Sequence, residues 1–326
     1  MDKLLQIASG FMEAKVLLAG AELGVFDHLG HDGATAAEVA HAIDGDPRGT
    51  EILLDALVAT EVLRKESGHY HNLPEFEHFL LVDGPAHFLG LLRHRNRMFR
   101  TWAILEDRIT GKQPVEPRPE ILDDPQTNAN FIQAMYAGGM RQAPAVVDHL
   151  DLKDVRTVAD LGGGPGHYLA EIARRSPSIE PYLIDLPLTL GVARRILART
   201  EVFVRLRFVE WDFYRESEPP PLPPFDLVLI SAVLHAESPE RNRDLLRRVF
   251  PLVAPGGRIV VQENMVEGDR TRPKDAALFA INMLTATPGG RAYTETEIRG
   301  WGEEAGFRFE GCERLSPRSS LLTLRK

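Results

Sequence analysis

From about Val155 to the C-terminus, short continuous apolar runs alternate with stretches in which apolar residues recur every three or four positions. Such alternation marks buried parallel strands separated by amphipathic helices, the arrangement of a doubly wound sheet. Strands are predicted at 155–160, 181–185, 206–211, 226–231 and 257–263, with a final pair near 307–312 and 320–325. The first half reads differently. Residues 1 to about 80 carry helical patterns and one small hairpin. Thr35-Ala36-Ala37-Glu38 is a capping box that opens a short helix to about Ala42. Asp46-Pro47 opens another, with Ile52, Leu53, Leu54, Leu57 and Val58 on its core face. Val62-Leu63-Arg64-Lys65 and His69-Tyr70-His71-Asn72-Leu73 flank Gly68 as two short strands.

Helices followed by a hairpin give the order of a winged helix. Its recognition position sets Arg48 against Glu51 and Asp55, so a phosphate backbone is repelled there and no nucleic-acid partner is expected. The basic cluster Arg93, Arg95, Arg97 and Arg100 reads as a solvated or subunit-facing helix surface. This segment, residues 1–110, is therefore taken as a packing and dimerisation module. A proline-rich, charged connector begins near Gly111, and residues 126–149 read as a helix with a break at Gly138-Gly139. The connector and this helix, 111–150, belong to a second domain that runs to residue 326. Pro219-Pro220-Pro221-Leu222-Pro223-Pro224 reads as a stiff loop.

A chain of 326 residues, 44% hydrophobic, is long enough for two packed domains. Its net charge of −9 again disfavours a protein that grips phosphates. Cys312 is the single cysteine, which excludes an internal disulfide and a cysteine zinc cluster and points to a reducing compartment, the cytoplasm. The apolar N-terminus, Leu4 to Leu17, is interrupted by charges and reads as an amphipathic helix. No stretch reads as long and apolar enough to span a bilayer, and no membrane partner is expected.

The first core strand ends in Asp160-Leu161-Gly162-Gly163-Gly164-Pro165-Gly166-His167 and runs directly into a helical pattern. Glycines at such a turn let backbone N–H groups and the positive helix end approach a ligand closely. The spacing of Gly162, Gly164 and Gly166 is one residue tighter than the dinucleotide fingerprint, and the acid before it repels a pyrophosphate. A ligand without phosphates that carries an ammonium, such as S-adenosylmethionine, suits both features. The second strand ends in Asp185-Leu186-Pro187, where a carboxylate can accept ribose hydroxyls. The third ends in Asp212-Phe213, an acid for an adenine amino group and a ring to lie against it. The strand-end acids lack partners at ligand spacing, so no metal is expected.

The fourth strand leads through Ser231 to His235, and the fifth ends in Glu263. An imidazole beside the cofactor's reactive end suits removal of a phenolic proton, and a carboxylate can orient it. The run Asn/Asp-Pro-Pro-aromatic, which holds a planar amine, is missing at this strand end, so a hydroxyl acceptor is favoured.

These features together resemble class I S-adenosylmethionine-dependent O-methyltransferases of the plant caffeate/flavonoid and acetylserotonin type, with their bacterial relatives. Ala21-Glu22-Leu23-Gly24-Val25-Phe26, Leu234-His235, Pro255-Gly256-Gly257 and Pro288-Gly289-Gly290 add to the likeness, which covers nearly the whole chain. The resemblance implies a Rossmann-like, mostly parallel seven-stranded α/β sheet, an N-terminal winged-helix dimerisation domain and a homodimer. It implies cofactor contacts at Asp160, Gly162, Gly164, Asp185, Leu186, Asp212, Phe213 and Ser231, and catalytic roles for His235 and Glu263. By position it implies an acceptor pocket at Phe131, Met135, Asn282, Met283 and Thr287, for a small aromatic hydroxyl compound. The chain departs from the family pattern where Ala236-Glu237 follows the histidine instead of Asp-Trp, where Arg291-Ala292-Tyr293 follows the glycine pair, and where Ser231 stands in place of a lysine. The departures leave open a relative that binds the cofactor without methylating. A winged-helix regulator that senses a ligand is a third reading, opposed by the acidic recognition helix.

Overall fold

The computed structural model describes residues 1–81, 88–116, 122–216, 218–317 and 319–326. The chain divides into two compact units, Met1–Arg100 with Gln133–Gly138, and Thr101–Ile132 with Gly139–Lys326. The connector expected near Gly111 falls partly on 117–121, outside the described residues.

The first unit contains α1 (Asp2–Ser9), α2 (Phe11–Leu23), α3 (Val25–Leu29), β1 (Ala34–Thr35), α4 (Ala36–Ala42), α5 (Pro47–Ala59), β2 (Leu63–Glu66), β3 (His69–Asn72), α6 (Pro74–Leu80) and most of α7 (Phe88–Trp102). Both expected helix starts are present. Thr35 and Glu38 cap each other at α4, and the Asp46 carboxylate accepts the Gly49 N–H at 2.6 Å ahead of α5. The hairpin gains a third strand, giving the order β1-β3-β2. Phe26, Leu54, Leu57 and Tyr70 fill the core beneath it, and the Tyr70 hydroxyl donates to Asp55 at 2.7 Å.

The N-terminus corrects one expectation. Asp2–Leu23 is long and apolar enough to cross a membrane by length and composition, because Gly10 keeps a right-handed helical conformation and joins α1 to α2. The charges at Glu13 and Lys15 interrupt the apolar face without ending the helix. Leu4, Leu5, Ile7, Phe11 and Met12 are each more than half exposed.

The second unit follows with α8 (Leu105–Ile109), α9 (Pro125–Gly139), whose residues 133–138 group with the first unit, and α10 (Ala143–Asp148). The break after Gly139 lies where the glycine pair predicts it. Then come β4 (Thr157–Leu161), α11 (His167–Arg175), β5 (Glu180–Asp185), α12 (Pro187–Leu197), β6 (Arg207–Glu210), β7 (Phe225–Ser231), α13 (Pro239–Val249), β8 (Val253–Glu263), α14 (Lys274–Ala286), α15 (Glu295–Glu304), β9 (Arg308–Ser316) and β10 (Ser319–Arg325).

The seven strands order as β6-β5-β4-β7-β8-β10-β9, parallel from β6 to β8 and antiparallel at β10 and β9. Leu227 and Leu229 of β7 face one apolar layer, Val228 and Ile230 the other. Burial on both faces explains why these strands read as unbroken apolar runs. The chain leaves β4 for one side of the sheet and returns at β7 on the other, so a crevice opens at their carboxyl ends. Their amino ends are clasped by Asp226, whose Oδ2 accepts the N–H groups of Arg156 and Thr157 at 2.8 and 3.0 Å.

Candidate active site at the carboxyl ends of the strands

The loop after β4 needs its glycines. Gly162, Gly164 and Gly166 have φ of +71, +55 and +76°, values that strain any residue with a Cβ. At Gly162 a Cβ would also stand 2.6 Å from Val233 Cγ2 and 3.2 Å from Phe213 Cζ. The loop thereby closes against the segments that follow β6 and β7.

Asp160 lies beneath this loop, fully buried, and neither carboxylate oxygen has a partner. Burial, reinforced by the Asp185 charge, pushes its pKa up to about 8. Asp185 is also buried, but it is held: Oδ2 accepts the Gly164 N–H at 2.8 Å and Oδ1 the Leu186 N–H at 2.7 Å. Burial outweighs these donors and the Thr189 hydroxyl, raising its pKa to about 6. With three of its four acceptor sites so occupied, one lone pair remains for a ligand hydroxyl. Leu186 thus contributes its backbone, at the start of α12.

Asp212 follows β6 with its side chain 21% exposed and the Arg215 guanidinium 4.0 Å away. Phe213 is buried, its ring directed at Gly162 and edge-on to Trp211 at 5.9 Å between centroids. Ser231 is buried at the end of β7, and its hydroxyl donates to Gln262 Oε1 at 2.5 Å, within a chain that continues from Gln262 Nε2 to Ser319 at 2.9 Å. Its hydroxyl therefore joins strands.

The second cluster starts where the left-handed Ala232, φ +55°, turns the chain out of β7. His235 follows in a short 3-10 turn. Its Nδ1 lies 2.8 Å from Glu263 Oε2, while its backbone N–H donates to Glu263 Oε1 at 3.2 Å. Glu263, at the end of β8, is 3% exposed and accepts the Asn264 N–H as well. Because a carboxylate only accepts, the proton of this pair sits on His235 Nδ1, and in the neutral ring Nε2 is then the acceptor. Asn242 of α13 supports the turn through the Leu234 carbonyl at 2.8 Å. Gly290 lies so close to the His235 carbonyl that a Cβ would overlap it.

Beside the imidazole stands Phe279 of α14, edge-on at 4.7 Å between ring centroids. Phe279, Asn282 and Met283 share one face of that helix by their spacing, a signal that could have found Phe279 in advance. Asn282 Oδ1 accepts the Trp102 indole N–H at 3.2 Å, a partner 180 residues away that sequence reasoning did not reach. Met283 is buried. The Thr287 hydroxyl donates to the Met283 carbonyl at 2.8 Å and accepts the Gly290 N–H at 3.0 Å, so it ties the end of α14 to the glycine pair. Phe131 is half-buried on α9 and groups with the second unit, whereas Met135 groups with the first.

The structure therefore gathers Asp160, the glycines, Asp185, Leu186 and Phe213 at one corner, and His235, Glu263 and Phe279 at another. Two open depressions of about 680 and 430 Å³ lie at the amino ends of β4 to β6, remote from both corners. Among the described residues, no three His, Cys, Asp or Glu side chains gather at metal-ligand distance.

Comparison with known proteins supplies the context. A family model described as the O-methyltransferase domain matches residues 117–308, and one described as the O-methyltransferase dimerisation domain matches residues 5–76. The 3-hydroxy-5-methyl-1-naphthoate 3-O-methyltransferase of Streptomyces sahachiroi is 29% identical over 309 residues, covering 93% of this chain and 88% of that protein. Human N-acetylserotonin methyltransferase in complex with S-adenosylmethionine superposes with a TM-score of 0.86 at 28% identity, over 100% of this chain and 97% of that one. PigF with S-adenosylhomocysteine gives 0.89 at 28% identity, over 100% and 99%.

Proposed function

Since the chain belongs to the S-adenosylmethionine-dependent O-methyltransferases, we propose that it methylates the hydroxyl of a small aromatic acceptor, phenolic or hydroxyindole-like, with His235 as general base. The observation that carries this reading is the His235–Glu263 pair at 2.8 Å, which fixes the tautomer with Nε2 open. The first corner fits the cofactor. Asp160 offers two unpartnered oxygens to an ammonium, Asp185 keeps a lone pair for a ribose hydroxyl, Asp212 suits the adenine amino group, and Phe213 lies beside the loop. Gly162 and Gly164 allow close approach, and Ser231 stands at the end of the neighbouring strand. When bound, S-adenosylmethionine supplies a methyl group on a sulfonium.

His235 Nε2 takes the acceptor's hydroxyl proton as the oxygen attacks. Glu263 holds the ring in place and balances the imidazolium that results. Phe279, with Asn282 and Met283, offers an aromatic and apolar wall against which a planar acceptor lies beside the base; Phe131 and Thr287 of the same unit complete the proposed pocket. The naphthoate and acetylserotonin acceptors in the names of the relatives support an aromatic substrate. The match to a dimerisation domain, together with the exposed apolar side chains of α1 and α2, supports a homodimer in which a second subunit covers that surface.

The test is transfer of a labelled methyl group from S-adenosylmethionine to a panel of phenols, catechols and hydroxyindoles, with His235→Ala in parallel. Transfer that collapses in the variant supports the base. Transfer that survives removes His235 from that role. Cofactor binding with no acceptor labelled favours the non-methylating alternative.

A further inference from the structure

His167 is the first residue of α11, directly after the glycine loop, and is 8% exposed. Neither ring nitrogen has a partner. The imidazole lies tilted against the Tyr168 ring at 4.1 Å between centroids and abuts Gly139, where any Cβ would overlap it. Apolar packing alone would call for an apolar side chain, because a buried imidazole without partners loses its hydration for nothing in return. The surroundings favour an anion as the missing partner. The nine-residue helix α11 begins at Gly166, which has no side chain to cap it, and its first turn contains no acid. Its opening N–H groups and positive end therefore face the loop unopposed. Asp160, which precedes the same loop as His167 follows it, presents two unpartnered oxygens.

A buried acid and a buried imidazole at a helix start, separated by one glycine loop, match an amino-acid zwitterion. On the reading that this cleft holds S-adenosylmethionine, we propose that His167 binds the carboxylate of the cofactor's methionyl arm through a ring N–H, while Asp160 receives the ammonium. Burial keeps the imidazole neutral, with its pKa near 4, so it meets the carboxylate as a hydrogen-bond donor and leaves the cation to Asp160. His167 is thus a positioning residue, setting where the arm, and through it the sulfonium, comes to rest.

The test titrates the full-length protein calorimetrically with S-adenosylhomocysteine and with its descarboxy analogue, the same thioether carrying a 3-aminopropyl arm. His167→Ala is expected to weaken S-adenosylhomocysteine about tenfold, the worth of one charge-assisted hydrogen bond, and to leave the analogue within about twofold. His167→Gln, which keeps an N–H donor, is expected to regain part of the loss, and thermal melts show whether each variant is folded. An equal loss for both ligands would mean that the ring only fills space and would overturn the proposal, as would no loss for either. If the unaltered protein binds neither nucleoside, the cofactor reading itself fails, and this inference with it.

Discussion

The two corners of the cleft are built on opposite electrostatic plans. At the glycine loop, Asp160 and His167 are buried without partners, and burial drives both toward their neutral forms. At the end of β8, Glu263 is just as buried but accepts the His235 Nδ1 proton and two backbone N–H groups. On the proposed function a charged ligand would meet the unpartnered groups of the first corner, whereas those of the second are already paired within the chain. The contrast separates binding from chemistry, since groups completed by a ligand supply affinity, whereas groups already oriented act on the transition state without reorganising.

The comparison breaks first at His235. His235→Ala is expected to lower methyl transfer by about 10²–10⁴-fold while calorimetric cofactor affinity stays within about twofold; equal losses in both would show that the corners are not separable. Glu263→Gln retains an acceptor but loses the charge, so kcat is expected to fall roughly 10–100-fold with acceptor KM little changed. Asp185→Asn works on the other corner, with cofactor affinity expected to drop about tenfold or more, the equivalent of roughly 1.5–3 kcal/mol for a hydrogen bond to a charged group.

The pH dependence of stability sharpens the contrast. Asp160 has a folded-state pKa of about 8, above the usual carboxylate range, so the folded, ligand-free protein holds a proton that the unfolded chain releases. The stability linked to this proton is complete at low pH and is lost as pH rises from about 4 toward 8, by at most about 1.4 kcal/mol per unit. Urea melts across that range are expected to show the decline, and Asp160→Asn to flatten it. The smallest effect is expected in the acceptor pocket. Trp102→Phe removes the 3.2 Å bond to Asn282, and a change of a few-fold in acceptor KM is expected for a loss of about 1 kcal/mol, with cofactor affinity unchanged.

Much of this was legible along the chain because its causes are local or periodic. Strands covered on both faces read as apolar runs, and the left-handed turn after β4 needs glycine wherever it occurs. Asp185 and His235 stand out in the sequence because strand ends converge in a doubly wound sheet, and the structure sets them at the carboxyl ends of β5 and β7. The remainder depends on contacts that spacing does not encode. The Ser231 hydroxyl is diverted by Gln262, a partner chosen by the β7–β8 register. Trp102 reaches Asn282 across most of the second unit's sequence. His167 was visible as a letter after the motif, but its isolation depends on Gly139, which lies upstream and brings no side chain of its own. The N-terminal helix reads as too short and too interrupted by charges to span a bilayer only if those charges are taken as breaks, and the helix runs through them from Asp2 to Leu23.

The clasp that Asp226 makes on the amino end of β4 spans 69 residues of sequence. Two strands and their helices lie in the chain between β4 and β7, so docking β7 on β4 closes a long loop at a cost in entropy. The crevice between β4 and β7 comes into being only with that docking. A cofactor that recognises the finished crevice is therefore expected to slow unfolding while leaving the folding rate almost unchanged. Lifetime in the folded state would then rise with the concentration of a small metabolite, and the enzyme would persist longest when it has a methyl donor to use.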